Sequence, residues 1–211
     1  MKAMKKIAIT SALLLGATGA AHAIPSATFI IDGDTFTQPF SFSNTSDAGE
    51  FITGFTIDIS TVTGPAVCFD TVSAGPCNDN MNQGAGQFSA ANGTAGPTGL
   101  VASPTVGDGA TTFSLSFTDF GVGDVFAFDI DVDFAGAGSV TVNGDDLIGA
   151  TGFFDFSDGQ RLSGVFDAVV ANDDASAFRV TGIDRIPVPA PASLVLLGLG
   201  LFGLGVARRR A

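Results

Sequence analysis

The chain has 211 residues, with 21 acidic and 9 basic side chains and a formal net charge of −12. Every acidic residue but only three basic ones lie between residues 24 and 187, so this central part carries a charge of −18. It contains no His, Lys, Trp or Tyr and only two Cys. These absences exclude His-based catalytic triads, His-based zinc sites and Schiff-base lysines, and the charge disfavours binding to nucleic acid or phosphate.

The first 23 residues have the layout of a secretory signal peptide. Three lysines within the first six residues precede an uncharged run over residues 7–21. Ala21 and Ala23 then flank His22 in the small–any–small pattern of a cleavage site. The run is shorter than the roughly 20 residues that span a bilayer. We therefore predict removal of residues 1–23 by signal peptidase, with cleavage after Ala23.

Export would place the two cysteines of the central part in an oxidising compartment. Cys68 and Cys77 are the only pair in the chain, and a Gly75-Pro76 turn lies between them. In an oxidising compartment such a pair is expected to form a disulfide, which stabilises a loop of this length by about 2–3 kcal/mol. A two-cysteine metal or redox site is the alternative.

The last 24 residues consist of three parts. Val188-Pro189-Ala190-Pro191 is unsuited to a helix interior, residues 192–207 carry no charge, and Arg208–Arg210 end the apolar run. Sixteen residues make a helix of about 24 Å, slightly short of the hydrocarbon core of a bilayer but compatible with local thinning. We predict a transmembrane helix with its arginines on the cytoplasmic side. A plain C-terminal membrane anchor is the alternative.

This three-part pattern closely resembles the PEP-CTERM sorting signal of Gram-negative bacteria that produce exopolysaccharide. The usual motif is Val-Pro-Glu-Pro, followed by Ala-Ser, a Leu/Gly-rich span and terminal arginines. Ala190 departs from the pattern, since it stands where the family has glutamate. The matching residues of this chain are Val188, Pro189, Pro191, Ala192, Ser193, Arg208, Arg209 and Arg210.

The resemblance implies a sorting route rather than an activity. Such a chain would be held transiently in the inner membrane by its C-terminal helix. A membrane-embedded protease of the exosortase type would then cut near the proline motif. The body would pass to the cell surface or the extracellular matrix, where exopolysaccharide is a possible partner.

The sequence from residue 24 to residue 187 is typical of β structure throughout. Apolar residues alternate with polar ones in three stretches, 55–59, 113–117 and 125–134, and no stretch has helical periodicity with caps. We predict a single acidic domain over 24–187, an all-β, antiparallel β-sandwich of jelly-roll-like type with a phenylalanine core. A tight turn is expected at Asn143-Gly144 and a hairpin around residues 157–160. Residues 75–110, rich in Gly, Pro and Asn, are expected to be a long irregular loop.

With sites based on His and Lys excluded, carboxylates are the functional groups through which this domain could bind a ligand or react. Asp129, Asp131 and Asp133 alternate along one predicted strand, and oxygen ligands of this kind suit Ca²⁺. Neighbours at this spacing lie about 6.6 Å apart along a strand, so another strand or loop would have to complete a site. A solvated polar face is the alternative for these three residues, and Asp32, Asp34, Asp145 and Asp146 are further candidates.

These patterns predict a body without catalytic residues and without a cofactor other than a possible Ca²⁺. The first hypothesis is a non-catalytic surface or matrix protein. The second is a calcium- or glycan-binding module carried by the same sorting signal. A carboxylate-based hydrolase is the third, although nothing in the sequence selects a pair of carboxylates for that chemistry.

Overall fold

The part of the central sequence that the structure describes forms twelve strands. The computed structural model describes residues 24–37, 39–47, 49–78, 84–136 and 140–183. The signal-peptide segment 1–23 and the C-terminal segment 188–211, with their predicted helices, lie outside the described residues. The strands are β1 (Ser26–Asp32), β2 (Phe40–Asn44), β3 (Ile52–Asp58), β4 (Val67–Phe69), β5 (Ser89–Ala90), β6 (Thr112–Phe120), β7 (Val125–Asp129), β8 (Val132–Phe134), β9 (Thr151–Phe156), β10 (Arg161–Val165), β11 (Asp167–Val169) and β12 (Asn172–Thr181).

The strands of the described residues pair antiparallel throughout and form three sheets. The largest has six strands in the order β11-β12-β1-β2-β7-β5, and the second has four in the order β10-β9-β3-β6. Strands β4 and β8 form a separate two-stranded sheet. The prediction of an antiparallel all-β body is confirmed, whereas the more specific jelly-roll-like order stays a prediction.

The two larger sheets face each other across a core of phenylalanine rings. Phe29 of β1 lies 5.1 Å from Phe55 of β3, and Phe42 of β2 lies 5.3 Å from Phe154 of β9, measured between ring centroids. Both pairs join one sheet to the other, and all four side chains are buried. Ring pairs of this kind contribute about 0.5–1.5 kcal/mol each beyond the burial of apolar area.

At one end of the core, a large ring packs against a pair of glycines. Gly152 of β9 and Gly164 of β10 lie opposite each other in the four-stranded sheet. Phe178 of β12, in the six-stranded sheet, packs its ring so close to both glycines that an added Cβ on either would overlap it. The absence of side chains at these two positions therefore allows the sheets to approach.

Two local expectations have different outcomes. The hairpin around residues 157–160 is confirmed, since β9 pairs with β10 on either side of it. In place of the tight turn expected at Asn143-Gly144, a 3-10 helix follows Asn143 and spans Gly144–Leu147. Its first turn is fixed by Asp146, whose carboxylate accepts a hydrogen bond of 3.0 Å from the backbone N–H of Asn143. This local side-chain bond competes with strand pairing.

The predicted loop over residues 75–110 contains short regular elements in its described part. Strand β5 pairs with the end of β7, and Ala95–Thr98 forms one helical turn. Within the described residues, no helix has both the length and the apolar character needed to cross a membrane.

Candidate metal centre

Three buried carboxylates converge beside the two-stranded sheet. Oxygen atoms of Asp70, Asp131 and Asp133 all lie within 4.8 Å of one another. The three residues are 1%, 6% and 3% exposed, respectively. Charged side chains are rarely buried to this degree unless they are paired or bind a metal.

The pairing of β4 with β8 brings these residues together. Cys68 lies opposite Asp133, and Phe69 lies opposite Val132. The ladder continues beyond the strand ends, where the N–H of Asp70 donates to the carbonyl of Asp131 over 3.0 Å. Asp70 therefore enters the cluster from the chain that follows β4, whereas Asp131 comes from the link between β7 and β8 and Asp133 from β8 itself.

A break in the strand, after which the chain changes sheets, explains why Asp131 and Asp133 are buried. Strand β7 ends at Asp129, and the chain then leaves the six-stranded sheet to pair with β4. Ile130 and Val132 remain in the hydrophobic core. The opposite side of β8 is covered as well, because buried Asn78 donates from Nδ2 to Oδ2 of Asp133 over 2.9 Å. The alternative of a solvated polar face is therefore wrong for Asp131 and Asp133.

Asp108 fixes the turn that carries Asp70. Its carboxylate accepts backbone hydrogen bonds from Thr71, Val72 and Cys77, at 2.7, 3.2 and 3.0 Å. Burial would raise the pKa of Asp108, but these hydrogen bonds outweigh it and hold the pKa below its usual value. Asp108 is thus an ionised anchor beside the cluster.

The electrostatics of the cluster are unbalanced. Burial, with a smaller contribution from the neighbouring Asp133 and Asp108, raises the pKa of Asp70 to about 7. Burial and the charge of Asp133 likewise raise the pKa of Asp131 to about 7. The basic residues of the described chain are Arg161 and Arg179, and both are exposed, so neither is a buried counter-charge. A proton or a cation is therefore needed to neutralise the cluster.

A partly open pocket of about 200 Å³ lies beside two of the three carboxylates. Asp131 and Asp133 line it together with Asp34 and Phe36, and the side chain of Phe36 is 52% exposed. The volume is sufficient for several water molecules, each of which occupies about 30 Å³ in the liquid.

The residues predicted from sequence have different positions in this arrangement. Cys68 and Cys77 form a disulfide with Cα atoms 5.6 Å apart, next to the cluster. Asp129 is half-buried in β7 opposite Ser89 and is not among the converging carboxylates. The third carboxylate of the cluster belongs to Asp70, which the sequence analysis did not select. The signal-cleavage residues Ala21 and Ala23 and the sorting residues from Val188 to Arg210 lie outside the described residues.

A comparison with protein-family models identifies the C-terminal segment. Residues 187–210 match the family model described as the PEP-CTERM protein-sorting motif. The chain carries a PEP-CTERM motif. The match confirms the recognition of this motif from sequence, while the roles of the eight individual sorting residues and the effect of Ala190 stay predictions. No curated protein matches the chain significantly, and no solved structure does.

The PEP-CTERM motif has consequences for the route of the protein. It supports export of the chain and transient membrane anchoring through the C-terminal region. It also implies processing by an exosortase, which is a membrane protein. The matched residues are outside the β body, so the motif assigns no activity to that body.

Proposed function

We propose that this chain is a surface or extracellular-matrix protein of a Gram-negative bacterium, delivered by exosortase processing, with a non-catalytic β body. The PEP-CTERM match over residues 187–210 is the observation that carries the proposal. Signal peptidase would act first, after Ala23, and the exosortase would act later near Pro189 and Pro191. Exopolysaccharide is the proposed partner at the destination.

Burial of the carboxylate cluster supports the non-catalytic part of the proposal. Hydrolysis of a glycosidic bond requires two carboxyl groups that flank the bond. Asp70 and Asp133 are 1% and 3% exposed, which leaves no room for a sugar ring between them. A panel of polysaccharides incubated with the purified protein tests this point, and release of reducing sugar would contradict it.

A binding module on the same sorting signal is the second candidate function. The buried carboxylates of Asp70, Asp131 and Asp133 favour the calcium version of this candidate. The glycan version has less support, because the chain has no Trp or Tyr to form a stacking platform for sugars.

Cleavage at the C-terminal end provides the decisive test of the sorting proposal. The protein is isolated from cells with and without a functional exosortase-type protease, and the C-terminal peptide is measured by mass spectrometry. We expect surface material from competent cells to end near the proline motif and to lack Arg208–Arg210. Cells without the protease should retain the intact chain in the membrane fraction. Surface material that still carries its terminal arginines would overturn the proposal.

A further inference from the structure

We propose that Asp70, Asp131 and Asp133 form a binding site for one calcium ion, and that the bound ion joins the chain after β4 to the β7–β8 segment. This inference rests on the second candidate function, a calcium-binding module, and names the residues that would bind the ion. It does not depend on the sorting route, so either proposal can fail without the other.

An unsatisfied oxygen inside the cluster is the observation that points to a ligand. The side chain of Asp70 is 99% buried, since only 1% of its surface is exposed, and its Oδ1 atom has no hydrogen-bond partner. Buried carboxylate oxygens are normally satisfied by donors or by a metal, because burial without a partner is costly. A hydrogen bond between Asp70 and a neighbouring carboxyl group requires a proton on one of the two, since carboxylates only accept, and a bound cation could take the place of that proton.

The separations within the cluster fit one Ca²⁺. Calcium binds oxygen at about 2.3–2.6 Å, so two ligands on opposite sides of one ion lie about 4.6–5.2 Å apart. The three carboxylate oxygens are within 4.8 Å of one another, which places them within the reach of a single ion. Asp131 and Asp133 supply two of these oxygens from the β7–β8 segment. The third comes from Asp70, which the pairing of β4 with β8 brings close to them.

The pocket provides the remaining ligands and an entry path. Calcium takes six to eight oxygens, more than three carboxylates supply when each binds through one atom. Water in the pocket lined by Asp34, Asp131 and Asp133 can occupy the other positions. The site has oxygen donors only and no His or thiolate, since Cys68 and Cys77 are joined as a disulfide. This donor set selects a hard cation rather than Zn²⁺ or Cu²⁺.

Calcium would complete the attachment of the segment from residue 68 to residue 77. The disulfide links its two ends, and Asp108 accepts hydrogen bonds from Thr71, Val72 and Cys77. Asp70 is the position within the segment whose charge these contacts leave uncompensated. A cation shared with Asp131 and Asp133 would join this segment to β8 at that point.

The test compares the melting temperature of the full chain, purified in detergent, in 1 mM CaCl₂ and in excess EDTA. We expect calcium to raise the melting temperature by roughly 5 °C or more, because a ligand that binds only the folded state stabilises it. Titration calorimetry with CaCl₂ should give about one site per chain. Parallel samples with MgCl₂ and ZnCl₂ test the preference for calcium.

Matched variants locate the site. Asp70→Asn and Asp131→Asn keep the shape of the side chain but remove a charged ligand, so both should lose the calcium-dependent shift. Asp129→Asn removes an equal charge two residues from Asp131, outside the cluster, and should keep the shift. The inference is overturned if the wild type gives neither heat nor shift with calcium, if Zn²⁺ binds in preference, or if Asp70→Asn and Asp131→Asn respond as Asp129→Asn does.

Discussion

Cys68 lies directly opposite Asp133 in the antiparallel pair of β4 and β8. The sulfur atoms of Cys68 and Cys77 are both 3.9 Å from the backbone carbonyl oxygen of Asp133. The disulfide and the carboxylate cluster are therefore parts of one small structure, and a change in one should affect the other.

Removal of the disulfide should weaken both the fold and the cation site. The double variant Cys68→Ser/Cys77→Ser is expected to lose about 2–3 kcal/mol of unfolding free energy, because the unfolded chain is no longer constrained. It should also bind Ca²⁺ more weakly than the wild type, since Asp70 follows Cys68 closely. Denaturant unfolding and calcium titration measure the two effects. A reductant should destabilise the wild type and leave the double variant unchanged, and equal calcium affinity in both proteins would contradict the coupling.

The stability of the calcium-free protein should fall as the pH rises from about 4 to about 7. Burial raises the pKa of Asp70 and of Asp131 to about 7, whereas unfolded Asp has a value near 3.9. The folded state therefore binds more protons in this window, and its stability decreases with pH and levels off above 7. The carboxylates that act on the two groups are Asp133, Asp108, Asp34 and Asp129.

Chemical unfolding in EDTA at a series of pH values measures this dependence. The Asp70→Asn variant is the control, because it lacks one of the two titrating groups and should show a shallower decrease. Calcium should suppress the decrease in the wild type, since it stabilises the ionised carboxylates. Stability in EDTA that stays constant or increases between pH 4 and 7, with no difference between wild type and variant, would refute the prediction.

A side chain at Gly164 should force the two large sheets apart. An alanine Cβ there would overlap the ring of Phe178, so we expect Gly164→Ala to destabilise the fold by about 1–3 kcal/mol. Gly107→Ala is the matched control, because no atom lies within 4 Å of its added Cβ and its backbone is not left-handed. Thermal unfolding compares the two variants. Equal melting temperatures would show that Phe178 can move away at little cost.

Deletion of Arg208–Arg210 should disturb sorting but not folding. These residues end the apolar run, and by the positive-inside rule they hold the C-terminal end in the cytoplasm. We expect the truncated chain to remain unprocessed or to be released prematurely. Immunoblots of membrane, surface and medium fractions measure the distribution. Replacement of the same residues by three lysines keeps the charge and serves as control, and normal surface delivery of the truncated chain would count against the prediction.

The substitution Ala190→Glu should improve processing. It restores the glutamate that the PEP-CTERM pattern has between its two prolines. Pulse labelling, with the ratio of processed to full-length chain as readout, measures the change. The variant Ala190→Gln has similar size without the charge and separates shape from charge. Unchanged processing in both variants would show that the prolines and the apolar span suffice for recognition.

Sequence patterns predicted the β body correctly where the alternation was regular. Residues 113–117 belong to β6, and the hairpin of β9 and β10 lies where its turn residues indicated. The tight turn predicted at Asn143-Gly144 is instead the start of a 3-10 helix, which the carboxylate of Asp146 caps. A side chain that satisfies a nearby backbone group can override a turn preference.

The candidate site was predictable only in part. Asp131 and Asp133 were selected from their spacing, but Asp129 was included because the alternation was assumed to continue through one straight strand. The chain instead changes sheets after Asp129, and only the two later residues face the cluster. Asp70 was missed, since its position depends on the pairing of β4 with β8, and such long-range pairing leaves no local pattern in the sequence.

Of the three fluorescent aromatic residues the chain contains only phenylalanine, so the protein lacks the strong near-ultraviolet fluorescence that Trp and Tyr give to most proteins. Because the chain contains no Trp or Tyr, one indole introduced into it would be its sole strong emitter. Phe36, exposed at the mouth of the acidic pocket, is a suitable position, and Phe36→Trp would convert occupancy of the pocket into an optical signal free of background.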